Sequence, residues 1–115
     1  FDYYLLAAKQ GHPDAQNNIA SMYDFGIGAK ANLAQAVIWY RKAAMAGQAQ
    51  AQNSLGLLHF EGEGVSQDKV AALEWTIRAA AQGNADAQQN RQAIAARLNA
   101  AQISEAERRA AEPLK

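Results

Sequence analysis

Residues 51–86 read AQNSLGLLHFEGEGVSQDKVAALEWTIRAAAQGNAD. Thirty-six positions earlier, Ala15-Gln16-Asn17 stands where Ala51-Gln52-Asn53 stands. The same step sets Gly26 and Gly28 under Gly62 and Gly64, and Ala36, Trp39, Ala43, Ala44 and Gly47 under Ala72, Trp75, Ala79, Ala80 and Gly83. One more step back, Tyr3, Tyr4, Ala7, Ala8 and Gly11 fall under Trp39, Tyr40, Ala43, Ala44 and Gly47. One step forward, Ala87-Gln88 opens another copy, and no gap is needed anywhere. A fixed period of this size marks a solenoid of stacked units, none of which can bury its own core alone. The chain then divides, within one domain, into four stretches. Residues 1–11 are the second helix of a truncated unit, 15–50 and 51–86 are full units, and 87–115 are a partial unit with a C-terminal cap.

Each unit reads as two helices. Tyr3, Tyr4, Leu6, Ala7 and Ala8 recur at helical spacing, so Phe1–Gln10 is predicted to be a helix stopped by Gly11. It has no partner helix before it, which makes the chain read as a piece of a longer array. Helix A of the first full unit is predicted from Asp14 to Phe25, with Ala15, Ile19, Met22 and Tyr23 turned inward. Ala20, aligned with Gly56, is small where a neighbouring helix must come close. Paired glycines end helix A, and Asn32 or Asp68 is placed to cap helix B. Helix B runs to Ala46 and carries Ala36, Trp39, Tyr40 and Ala43 on one face. The third copy departs from this pattern: Arg91 and Gln92 replace Leu55 and Gly56, and no glycine pair follows. A helix is predicted from Ala87 to Ala101. Ser104-Glu105-Ala106-Glu107 then reads as a capping box opening a last helix to Glu112, and Pro113-Leu114-Lys115 as a frayed tail. The expectation is four or five helices before the cap, two after, and no strand.

Composition narrows function. Hydrophobic residues make up 50% of the chain, and 11 basic residues balance 11 acidic ones. That balance is no electrostatic footprint for nucleic acid or an anionic membrane. With no cysteine, neither a disulfide nor a thiolate metal site can form. No stretch approaches a membrane span.

The residues assembled so far carry a known pattern: A-x-x-x-L-G-x-x-[YH]-x-x-G-x-G-V-x-x-D, then A-x-x-W-x-x-x-A-A-x-x-G. Here it is borne by Ala51, Leu55, Gly56, His59, Gly62, Gly64, Val65, Asp68, Ala72, Trp75, Ala79, Ala80 and Gly83. It resembles the Sel-one-like repeat (SLR) of the tetratricopeptide-like superfamily, over about residues 3 to 90. The first unit departs at four places, with Ile19, Ala20, Ala29 and Asn32 at the leucine, glycine, valine and aspartate positions. The resemblance implies an all-α, right-handed α/α superhelix and a role as adaptor or regulator through protein–protein contacts, commonly in bacteria. It implies no catalytic residues and no cofactor, and it leans toward an exported, periplasmic protein.

Sharper chemical readings compete with bland ones. Gly62-Glu63-Gly64 joins two predicted helices and recurs, so it reads as a turn rather than a phosphate loop. Ser66-Gln67-Asp68-Lys69 matches the S-x-x-K nucleophile motif, and a hydrolase using Ser66 and Lys69 is one alternative function. The companion S-D-N and K-T-G motifs are absent, and Thr76 is the only threonine. His12 and His59 are the only histidines, short of the three or four ligands a zinc site needs. Met22 and Met45 read as core filler, and Arg108-Arg109 as a solvated face. A passive structural spacer is a further alternative. The favoured reading is a scaffold that binds a peptide or partner helix. In superhelices of this superfamily helix A lines the concave face. The residues expected to meet the partner there are Asn17, Ser21, Asp24, Asn53, Leu57, Phe60 and Gln89, with Leu57 and Phe60 as apolar anchors. Self-association through the exposed first helix is a second expected contact.

Overall fold

The computed structural model describes residues 2–114. They form seven α-helices and no strand: α1 (Asp2–Lys9), α2 (Pro13–Phe25), α3 (Leu33–Met45), α4 (Ala49–Glu61), α5 (Lys69–Ala81), α6 (Ala85–Ala95) and α7 (Ala100–Ala110). The order is the expected one, five helices in the repeats and two beyond. Phe1, expected to begin the first helix, lies outside the described residues. From α1 to α6, helices adjacent in sequence pack on one another in turn, α7 folds back onto α5, and the molecule is elongated, 44 × 24 × 23 Å.

Local chemistry sets the helix starts. Asn32 accepts a hydrogen bond from the Gln35 N–H, and Asp68 accepts one from the Ala71 N–H, as their spacing predicted. Gln48 and Asn84 do the same for α4 and α6. α2 begins without a side-chain cap, at Pro13 in its first turn.

Two buried glutamines join the units. The Gln16 amide donates to the Ala8 carbonyl at 3.2 Å, and the Gln52 amide donates to the Ala44 carbonyl at 3.1 Å. Each bond ties an A helix to the B helix before it. Tight contacts complete the stacking. A Cβ at Gly56 would stand 2.9 Å from the Ala72 carbonyl oxygen and 3.0 Å from Thr76 Cγ2. Gly64 combines a positive φ of 72° with a backbone approach to Leu33, where a Cβ would stand 2.9 Å from the Leu33 Cβ. The loop before α5 thus lies on the start of α3, one unit earlier.

The C-terminal third differs from expectation in three ways. First, α6 stops at Ala95 rather than running to Ala101. Second, the capping box that opens α7 is Asn99 with Gln102, not Ser104 with Glu107, which lie inside the helix. Asn99 accepts from the Gln102 N–H while the Gln102 side chain accepts from the Asn99 N–H. Both boxes are chemically sound. The earlier one lets Ile103 and Ala106 reach the core formed by Ala72, Leu73 and Ile94. Third, the tail is docked. Leu114 is half-buried against the core, and the Glu112 carbonyl accepts from Arg78 Nη1 at 2.9 Å. Arg78 also donates to the Arg109 carbonyl, pairs with Glu74 at 3.3 Å and lies 5.7 Å from the centre of the Trp75 ring. One guanidinium therefore holds α7 on α5. Lys115 lies outside the described residues.

Candidate interaction groove

Helices α2 and α4 lie side by side on the A-helix face, with Tyr40 of α3 behind them. Between them runs a groove of about 400 Å³ that reaches the start of α6 at Asn84 and Asp86. Four of the seven residues expected at the partner surface line it: Ser21, Asp24, Asn53 and Leu57. Phe25, Tyr40, Gln50, Leu58, Glu61 and Glu63 are also in its walls.

The other three lie elsewhere. Phe60, expected as an exposed anchor, is half-buried against the cluster of Ala72, Leu73, Ile94 and Ala106. The cause is the C-terminal cap, whose packing against α5 turns Phe60 into a core contact. Asn17 is 5% exposed, and its amide donates to Gln50 Oε1 at 3.4 Å. Gln89 is exposed on α6, outside the groove. Asn53 lines the groove, but its carbonyl oxygen accepts from the Asn90 amide at 3.0 Å. The amides expected to meet a partner's backbone are thus engaged between neighbouring A helices. Each seam bond engages one end of an amide, and the Asn17 Oδ1 has no hydrogen-bond partner.

The groove is electrostatically one-sided. Tyr40 donates to Asp24 Oδ2 at 3.1 Å and lies 3.2 Å from the Ser21 hydroxyl. Burial, above all, pushes the Tyr40 phenol up. A hydrogen bond with Glu63, then burial, then repulsion from Glu63 and Asp24 hold the Glu61 carboxyl above the usual carboxylate range. No lysine, arginine or histidine is among the lining residues.

The remaining candidates are scattered. Ser66 is exposed in the loop before α5, and Lys69 begins that helix. His59 is buried and interacts with the Ser66 backbone, and burial pushes its imidazole below the ordinary value. Its Nδ1 has no partner. Among the described residues no three His, Cys, Asp or Glu side chains gather to hold a metal ion. Among the same residues no helix is long and apolar enough to cross a membrane.

The Sel1 repeat pattern matches residues 1–12, 13–48 and 49–84. The chain belongs to the Sel1 repeat family. The matched units keep the 36-residue step and are phased two residues ahead of the 15–50 and 51–86 division. No curated protein matches the chain. Among solved structures, one is described as c5321, a protective antigen present in uropathogenic Escherichia coli strains and displaying an SLR fold. It superposes with a TM-score of 0.92 at 34% identity over 95% of this chain, which spans only 24% of the antigen's length. A Sel1 repeat protein from Oxalobacter formigenes superposes with a TM-score of 0.77 at 40% identity, over 79% of this chain and 68% of that one. Sel1 repeat proteins are generally protein-interaction scaffolds, and this chain has their α/α solenoid fold.

Proposed function

We propose that the chain binds a peptide or helix of another protein along its A-helix face, in the groove over α2 and α4. The observation that carries this reading is convergence. Ser21, Asp24, Asn53 and Leu57, picked out by repeat register as facing away from the stacking core, come together around one cleft. Exposed Phe25 and half-buried Leu57 give that cleft an apolar contact within reach of hydrogen-bonding groups. A few such contacts usually dominate binding energy. Phe60 leaves the set of anchors, and Leu57 remains.

The test is site-specific photo-crosslinking in source cells, with the probe at Leu57 and, separately, at Arg41 on exposed α3 surface. A discrete adduct from position 57 and none from position 41 is the expected result. An adduct from position 41 alone would move the working surface to the B helices and overturn the groove.

A further inference from the structure

The chain is neutral, with 11 acidic and 11 basic residues, yet the groove is not. Asp24, Glu61, Glu63 and Asp86 line it with no cation among them. Negative charge is gathered on a cleft that also has an apolar wall. That wall is Phe25, 70% exposed, together with Leu57 and Leu58. An exposed aromatic ring beside carboxylates suits a cation, which the ring face attracts as well.

The hydroxyls of the groove are engaged with one another. The Tyr40 hydroxyl donates to Asp24, and the Ser21 and Ser54 hydroxyls are engaged with Tyr40. Beneath the wall, Asn17 is 5% exposed and its Oδ1 has no hydrogen-bond partner. Its amide nitrogen is already given to Gln50, which is part of the wall. The amides that remain in the walls, those of Gln50, Asn53 and Asn84, carry no charge to balance the carboxylates. The crowding of Glu61 by Glu63 and Asp24, which pushes the Glu61 carboxyl up, is the same imbalance seen from the acid side. A metal ion does not answer it, since no three acidic side chains among the described residues are placed to hold one. An acidic partner would add to the repulsion.

We infer that the groove takes a basic segment of a partner protein. A lysine or arginine side chain lies between Asp24, Glu61 and Glu63, and an apolar neighbour on the same segment rests on Phe25 and Leu57. This rests on the groove being the working surface. A guanidinium or ammonium supplies only donors and brings the positive charge that these walls lack. Binding relieves the repulsion between Glu61 and Glu63. Attraction of this kind weakens with salt, because the screening length falls to about 10 Å at 0.1 M ionic strength.

The experiment is selection of random short peptides displayed on phage against the whole chain. The enriched peptides are then mapped by NMR shift changes and titrated against the chain and the Asp24→Asn/Glu61→Gln/Glu63→Gln variant. That variant keeps an acceptor for Tyr40, and its fold is checked by circular dichroism. Peptides rich in lysine or arginine are expected, shifting the amides of Phe25, Leu57 and Glu61. Their affinity is expected to fall about tenfold in the variant and to fall with salt, as for charge pairs across an interface. Peptides that map to the groove without basic residues, or that bind the variant equally well, overturn the charge assignment and leave the groove standing. Peptides that map to another face, or a selection that enriches none, overturn both.

Discussion

One methyl group is enough to test how closely the two helices of a unit pack. In the first unit Ala20 fills the position that Gly56 fills in the second, and both are buried. The second has no room for the methyl: the added Cβ of Gly56→Ala meets the Ala72 carbonyl oxygen at 2.9 Å, which is backbone and cannot swing aside. Gly56→Ala is expected to cost about 1–3 kcal/mol, the usual range for overpacking, read as a lower midpoint in denaturant. Combining it with Thr76→Ser removes the 3.0 Å contact with Cγ2 and recovers part of that loss, but not all, since the carbonyl stays. Register between the units had marked this position as a close approach, so it was legible. The glutamines beside it were not. Gln16 and Gln52 recur at the period, but a polar residue next to an alanine reads as surface until its partner carbonyl on the preceding helix is seen. Gln52→Ala removes one donor from the Ala44 carbonyl, which keeps the Gly47 N–H, and is expected to cost about 0.5–1.5 kcal/mol, the usual net worth of one hydrogen bond. His59 adds a pH dependence. Burial lowers its pKa from 6.5, so the folded state favours the neutral ring. Its contribution is full above the ordinary imidazole value and is lost as pH falls below it. His59→Tyr, which installs the residue found at the aligned Tyr23, is expected to flatten the stability profile on the acid side of pH 6.5 in thermal melts.

Among the elements, α7 departs most from the repeat. Asn99-Ala100-Ala101-Gln102 and Ser104-Glu105-Ala106-Glu107 are rival capping boxes in one alanine-rich run, and local chemistry does not separate them. Docking does: the earlier start brings Ile103 and Ala106 onto α5 and α6. The same docking half-buries Phe60, so the shifted capping box and the burial of Phe60 have one cause, a contact between elements far apart in sequence. Arg78 is the pin. Arg78→Met removes the donors to the Arg109 and Glu112 carbonyls and leaves Glu74, 16% exposed, without its partner. Hydrogen exchange is expected to speed up along α7 while α2 and α3 keep their protection, a local opening rather than a global one. The exposed pairs on α7 act differently. Glu105 bonds both Arg108 and Arg109, which hold its carboxyl well below the usual range, at about 2. Its folded pKa is depressed, so the support it gives the helix is present above the ordinary carboxylate value of 4.5 and lost as pH falls towards 2. Glu105→Gln is expected to abolish that acid sensitivity, seen as helical circular dichroism against pH, and to matter less in high salt.

At the scale of the whole molecule, stability in a solenoid is a sum over neighbours, and the question is what couples its two ends. The buried side chains fall into an N-terminal cluster around Ile19, Trp39, Tyr40 and Leu55, a C-terminal one around Leu73, Ile94 and Ala106, and a small alanine cluster of Ala79, Ala80 and Ala87. Trp75 belongs to the first cluster, although Ala72 and Leu73 on the same helix belong to the second. It is therefore the side chain through which α5 joins both. Its equivalent, Trp39, lies inside the first cluster alone. Deleting either indole removes a large buried ring, at about 3–5 kcal/mol. The two losses should differ in form. Trp39→Ala is expected to lower the midpoint of a single unfolding transition. Trp75→Ala is expected to split it, with α6 and α7 losing structure before α2 and α3. Tyr40 lies in the first cluster and Ile94 in the second, so NMR signals from each, followed through a denaturant titration, distinguish the cases. Coincident loss at both sites in Trp75→Ala would show that the ends are coupled by backbone contacts such as Gly64 on Leu33, and not by the indole.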